Sequence, residues 1–230
     1  VNGGEFYLLA NQSPFYGECG GQVGDIGQII GQNFVIEVTD TKKKLDGVIV
    51  HVCKMTSGEV KAGQTASFEV NNIIRNRIRA NHSVTHLLHK AMRTILGEHI
   101  AQKGSLVGPD RMRFDVSHPQ QITAEQLQQI EDMVNESIRK NYHVNTVIMN
   151  KDEAVNCGAM ALFGEKYGNI VRVVEAKGIS VEFCGGTHID NTARLGLFRI
   201  VSENSVAAGV RRIEAVTGAG VLNMLKKYHT

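Results

Sequence analysis

The apolar positions of this chain change their period once, near residue 73. Before it, short apolar segments at residues 5–9, 34–38, 48–53 and 67–70 are separated by turn signals such as Asp46-Gly47 and Ser57-Gly58. Several short strands at this spacing predict a small β-barrel over residues 1–72. After it, Ile74, Ile78, Leu88, Ala91, Met92 and Ile95 fit a helical stripe, with Gly97 placed to end it. Strand-like segments follow at residues 104–107 and 112–116. A second helix is predicted from Thr123, where Thr-x-x-Gln126 reads as a capping box ahead of Leu127, Ile130, Val134 and Ile138. Residues 144–149 read as a strand and Asn150-x-x-Glu153 as the cap of a short helix. Strands at 170–175, 179–184, 197–202 and 210–216 complete the pattern. The fold class expected is α+β: a small N-terminal β-barrel, then a domain over 73–230 of long helices packed on a mostly antiparallel sheet.

Within the first region lies PFYGECGGQVGDIG, part of a stretch carrying Gly17, Gly20, Gly21, Gly24, Gly27 and Gly31. It reads as a flexible hairpin loop; the alternative is backbone that approaches a ligand closely, which only glycine permits. Composition narrows the field further. With 42% hydrophobic residues in 230, the chain can bury a core in one large domain or two small ones. No apolar run approaches the ~18 residues that a membrane helix needs. The start, VNGGEFYLLA, has neither the basic region of a signal peptide nor a Met, which points to a piece of a longer protein. Cys19, Cys53, Cys157 and Cys184 show no disulfide-framework spacing, so a reduced, cytoplasmic setting is expected. A net charge of +2 neither marks nor excludes a nucleic-acid partner. Lys42, Lys43 and Lys44 read as a charged hairpin tip. Arg75, Arg77 and Arg79 open the first helix as a solvated face, with phosphate binding the minority reading.

The first helix holds NHSVTHLLH. His82 and His86 are four apart, on one helical face, where one metal ion can reach both. A zinc-protease helix would place its general base directly after the first His; here that residue is Ser83. The second half of the chain adds SVEFCGGTHID, in which a strand ends at Cys184 and Gly185-Gly186 turns the chain to present His188. One thiolate and three imidazoles suit tetrahedral zinc better than magnesium or calcium. The joint pattern is far more specific than either half. Two plainer readings stand beside it: a closed structural zinc site, or His89 replacing one ligand, since it shares the face of His82 and His86.

NHSVTHLLH, QKGSLVGPDRMRFDVSHPQ, GAMALFGEKYG, SVEFCGGTHI and AAGVRRIEAVTG together resemble the editing domain of bacterial alanyl-tRNA synthetases. PFYGECGGQVGD resembles the β-barrel domain that precedes it in that family, with Cys19 where Ser is common. The resemblance runs through nearly the whole chain. It implies an aminoacylation domain before Val1, a C-terminal oligomerisation and tRNA-binding domain after Thr230, and zinc on His82, His86, Cys184 and His188. The implied activity is hydrolysis of the ester in Ser-tRNA(Ala) or Gly-tRNA(Ala), with the charged acceptor end as partner and no acylation by these residues.

Such editing has a physical motive. One missing methylene, or one added hydroxyl, changes selection by only ~10–200-fold, so a second, hydrolytic site is required. Gln102, in QKGS, matches a family position implicated in editing. Thr85 is a second candidate for pairing with the serine hydroxyl; the plain alternative is a helix threonine bonded to its own backbone. Arg75, Arg77, Arg79, Arg211 and Arg212 are candidates for tRNA contact from charge alone. Alternatives are a threonyl-tRNA synthetase-like editing domain, a free-standing trans-editing protein, and a non-catalytic zinc-stabilised tRNA-binding module. Ser83 disfavours a protease, and the absence of a Pro-Cys-x-x-Cys run disfavours a deaminase.

Overall fold

Strict alternation fixes the first sheet. In Phe34–Lys43 the side chains of Phe34, Ile36 and Val38 are buried while Glu37 is exposed. A computed structural model describes residues 4–160, 168–176 and 178–227, so most of the GAMALFGEKYG motif lies outside the described residues. The chain divides into two compact units, Val1–Arg77 and Ile78–Thr230.

The first unit contains β1 (Glu5–Leu8), β2 (Gly27–Gly31), β3 (Phe34–Lys43), β4 (Ile49–Gly58) and β5 (Ala66–Val70). They form one antiparallel sheet in the order β1-β4-β3-β2-β5. β1 and β5 stand at the two ends of that order. Register shifts at Val35/Ile36 and Val38/Asp40 bend the long β3–β4 pair. Phe15, Ile29, Phe34, Ile36, Val38 and Cys53 make the core.

The glycine-rich stretch is ordered by this sheet. Gly20 and Gly21 adopt φ of 58° and 81°, and Cys19 and Gln22 exchange backbone hydrogen bonds around them. The chain then runs beside β3: Glu18 N–H donates to Thr41 O at 2.8 Å, and Thr41 Oγ1 donates to Asp25 O at 2.8 Å. A methyl on Gly24 would overlap the Thr41 carbonyl. The expected loose hairpin is therefore a segment bound along its own sheet, and its last glycines belong to β2, a strand the glycines disguised. Lys42, expected at a bare charged tip, pairs with Asp40 at 2.7 Å and with Glu18. Hydrogen bonds to those two carboxylates push its pKa up to about 12.

α1 (Asn72–Leu96) begins where the Asn71 side chain accepts from Ile74 N–H at 3.1 Å. The expected stripe is too narrow. Every residue from Asn81 to His89 is buried, polar ones included, because the middle of this helix is covered on all sides. Arg75 does not offer a free cation: it binds the buried carboxylate of Asp25, Nε to Oδ1 at 3.0 Å, and the carbonyl of Pro14.

β6 (Gln102–Val107), β7 (Met112–Ser117), α2 (Ala124–Arg139), β8 (Val144–Asn150) and α3 (Lys151–Asn156) follow. β9 (Ile170–Ala176), β10 (Ser180–Phe183), β11 (Phe198–Ala207), β12 (Val210–Thr217) and α4 (Ala219–Lys227) complete the chain. Where one sheet was expected, there are two antiparallel ones, β11-β12-β7-β6 and β10-β9-β8. Val84, Leu88 and Met92 of α1 and Ile130 and Val134 of α2 share a core with Phe114 and Ile213 of the larger sheet. Burying each such side chain contributes about 1.5–3 kcal/mol. A separate cluster of Ala154, Val171, Val173 and Phe183 underlies the smaller sheet.

Both halves of the Thr123–Gln126 capping box form, at 3.2 and 3.0 Å. Asn150 precedes α3 as expected, but its side chain makes no capping bond. Two α2 side chains also serve the edge of β11. Asn135 donates to Phe198 O at 3.0 Å and accepts from Phe198 N–H at 2.9 Å, while Glu131 accepts from Ile200 N–H at 2.9 Å.

Candidate metal centre

One helical turn stacks His82 on His86, with ring centroids 5.5 Å apart and planes 10° from parallel. α1 is held at this point by Asn81, which donates to Gly108 O at 2.8 Å and accepts from the Thr217 hydroxyl at 2.8 Å. The facing wall comes from the end of β10. There Cys184 Sγ lies 3.4 Å from His82 Nε2 and 3.2 Å from His188 Nε2. Neither Gly185 nor Gly186 has a positive φ. The turn is instead held by Arg172 on β9, which donates to Cys184 O at 2.9 Å and to Gly186 O at 2.5 Å.

One donor atom from each of His82, His86, Cys184 and His188 lies within 4.8 Å of the others. Tetrahedral zinc, with bonds of about 2.0–2.3 Å, sets its donors roughly 3.2–3.8 Å apart. The donor types suit zinc, and the two contacts of Cys184, at 3.4 and 3.2 Å, fall in that range, while the full set spreads to 4.8 Å. A further observation supports the fit: His86 Nε2 is buried and has no hydrogen-bond partner, the condition of an imidazole nitrogen reserved for a metal.

The electrostatics of the cluster divide between its members. Burial alone would raise the Cys184 thiol, but the neighbouring imidazoles of His82 and His188, hydrogen-bonded to it, hold it well below its ordinary value. Burial, then the neighbouring His82 imidazole, lowers His188 to about 3, so it is neutral and able to ligate. For His86 burial acts downward, yet the carboxylate of Glu182 outweighs it and raises that imidazole well above its usual range.

One family comparison takes in part of this cluster. A family described as threonyl and alanyl tRNA synthetase second additional domain matches residues 171–214, the stretch that carries Cys184 and His188. Another, tRNA synthetases class II (A), matches residues 1–74. The alanine–tRNA ligase of Mesorhizobium japonicum is 53% identical over 221 residues, covering 92% of this chain and 25% of that protein. That of Rhizobium meliloti is 54% identical over 228 residues, 95% of this chain and 26% of the ligase. That of a Chelativorans species is 52% identical over 235 residues, 98% of this chain and 26% of the ligase. The chain belongs to the alanine–tRNA ligase family. It spans about a quarter of the length of the alanine–tRNA ligases it matches.

The remaining candidates occupy distinct places in this alanine–tRNA ligase segment. Thr85 is buried one turn from His82, and its hydroxyl donates to Asn81 O at 2.9 Å, the local bond of a helix threonine. Gln102 is half-buried at the start of β6, opposite Val116, and takes no part in the hydrogen bonds that join the four donors. His89 stands outside the four: its ring meets Phe114 edge-on at 5.5 Å, and its Nδ1 lies 3.9 Å from Glu182 Oε1. Arg211 and Arg212 are already engaged, by Glu203 at 2.8 Å and by Asp115 at 2.7 and 2.8 Å. A small crevice beside His86 and His188 is lined by Ser83, Leu87, Val174 and Thr192.

Sequence reasoning missed three residues that shape the cluster. Ser83 Oγ lies 3.1 Å from His188 Nδ1 and accepts from Ile189 N–H. Glu182 and Arg172 are the others. Glu182 was visible as a strand carboxylate two residues before the cysteine, but alternation alone does not say that it faces a histidine.

Proposed function

We propose that this chain hydrolyses the ester linking serine or glycine to tRNA(Ala), at a zinc centre held by His82, His86, Cys184 and His188. The observation that carries this is the convergence of those four donors within 4.8 Å, two of them, Cys184 and His188, on the stretch that matches the synthetase additional domain. Zinc bound there would grip or polarise the aminoacyl end of the substrate. The partners proposed are the acceptor end of tRNA(Ala) and the further length of chain that the full alanine–tRNA ligases possess.

The absent general base fits an ester substrate. A protease must protonate an amine leaving group; an aminoacyl ester departs as a ribose hydroxyl and needs less help. Ser83, at the position of that base, instead sits against His188. The residues near the cluster then need only hold the acyl group and tell serine from alanine. The crevice beside His86 and His188 suits a small side chain. Gln102 is proposed to hydrogen-bond the substrate. Thr85 is proposed to accept from the serine hydroxyl through the oxygen that already donates to Asn81, leaving alanine without a compensating bond.

One observation favours a second reading. Four donors so close together can saturate the metal, which makes a closed, structural centre in a tRNA-binding module the competitor. Hydrolysis of Ser-tRNA(Ala) beside Ala-tRNA(Ala) by the purified chain, with and without chelator, separates the two. Fast loss of serine, retention of alanine and sensitivity to chelator support editing. Binding of tRNA without hydrolysis, at protein concentrations high enough to saturate it, establishes the structural alternative.

A further inference from the structure

The Glu182 carboxylate is 2% exposed, enters from β10, and places Oε2 2.5 Å from His86 Nδ1. Its other oxygen has no hydrogen-bond partner and faces His89 Nδ1 at 3.9 Å. A buried carboxylate with one oxygen unsatisfied is costly, and nothing in the ester chemistry proposed above uses it. An imidazole presents one nitrogen to a metal only if the other carries the proton, and a carboxylate acceptor fixes that choice.

We infer that Glu182 is the positioning residue of the metal centre: it anchors Nδ1–H of His86, so that Nε2, the buried nitrogen without a partner, is the one offered to the metal. Two consequences follow, both resting on the zinc centre proposed above. The charge of Glu182 makes His86 a stronger donor, and its grip fixes the ring plane. His89 stands behind the carboxylate rather than among the donors, with Nδ1 3.9 Å from the second oxygen. Ser83 Oγ lies 3.1 Å from His188 Nδ1 and steadies that ring too, but as an uncharged hydroxyl. Loss of Glu182 therefore matters more than loss of Ser83.

The test uses metal alone. Zinc affinity is measured by competition with a chromophoric chelator, and cobalt(II) replaces zinc to read the donor set by absorption, for the wild-type chain and for Glu182→Gln, Glu182→Ala and Ser83→Ala. Outer hydrogen bonds of this kind are worth about 10–100-fold in metal affinity. The expected order is wild type tightest, Ser83→Ala slightly weaker, Glu182→Gln about 10-fold weaker and Glu182→Ala weaker still, with altered cobalt bands in both Glu182 variants. If Glu182→Ala does not fold, Glu182→Gln, which keeps an acceptor oxygen, decides alone. Wild-type affinity and unchanged cobalt bands in a folded Glu182 variant overturn the role of Glu182 and leave the zinc centre standing. A wild-type chain that binds neither metal overturns the zinc centre itself, and this role with it.

Discussion

Ser13 and His51 share a hydrogen bond of 2.7 Å, and its direction is fixed from the far side of the ring. His51 Nδ1 lies 3.0 Å from the carbonyl of Leu8, which can only accept, so Nδ1 carries the proton and Nε2 accepts from the Ser13 hydroxyl. The imidazole is buried between Phe15 and Phe68, in its neutral form.

That arrangement makes the first unit sensitive to acid. Burial lowers the His51 pKa below 6.5, although the bond to Leu8 opposes it. A histidine lowered on folding binds more protons when unfolded, so its contribution is complete above the unfolded pKa and is lost as pH falls. Hydrogen exchange of β4 amides should accelerate as pH drops below about 6.5, after correction for intrinsic rates. His51→Gln should flatten that dependence. An unaltered slope in the variant would assign the acid response elsewhere.

Removing the thiol tests the centre directly. Cys184→Ala leaves three imidazoles, which should bind zinc at least 10-fold more weakly and depress hydrolysis of Ser-tRNA(Ala) in parallel. A Cys184→Ala chain with full metal content and full hydrolysis would rule out the four-donor site.

Thr85→Val and Gln102→Ala separate recognition from metal binding. Neither residue belongs to the donor set, so zinc content should stay at the wild-type level in both. Thr85→Val should slow hydrolysis of Ser-tRNA(Ala) relative to Gly-tRNA(Ala) by about 10-fold, the worth of one lost hydrogen bond. An equal loss on both substrates would show that the Thr85 hydroxyl serves only Asn81. Gln102→Ala should reduce hydrolysis of both; an unchanged rate would remove it from the site.

Gly24→Ala should destabilise the first unit by about 1–3 kcal/mol, because the added methyl meets the fixed carbonyl of Thr41 rather than a flexible side chain. Gly4→Ala is the control, since a methyl there has nothing within 4 Å. Equal urea midpoints for the two variants would contradict this account of the loop.

The parts of the structure legible in the sequence were those with local signatures. The capping box at Thr123 announces α2 by itself, and H-x3-H with C-G-G-T-H announces four side chains that do converge. What escaped was set by distant partners. β2 has only two apolar residues, Ile29 and Ile30, between a Gln and two glycines, and it is a strand because β3 and β5 pair on either side of it. The middle of α1 reads as an amphipathic stripe, yet sheet and loop cover its polar face, and His82, Ser83, Thr85 and His86 become interior. Arg75, Arg211 and Arg212 look like cations awaiting phosphate until Asp25, Glu203 and Asp115 are found against them. Charge in a sequence has no address until the fold supplies one.

Asn135 and Glu131 also bear on how copies of the chain meet. A sheet margin with free amides and carbonyls is a template on which another chain can grow. By answering Phe198 and Ile200 with the amide and carboxylate of a helix, α2 ends the sheet there as a partner strand would, but without offering a new edge in turn. Crowded copies of this chain therefore find the Phe198–Ile200 stretch of that margin already occupied.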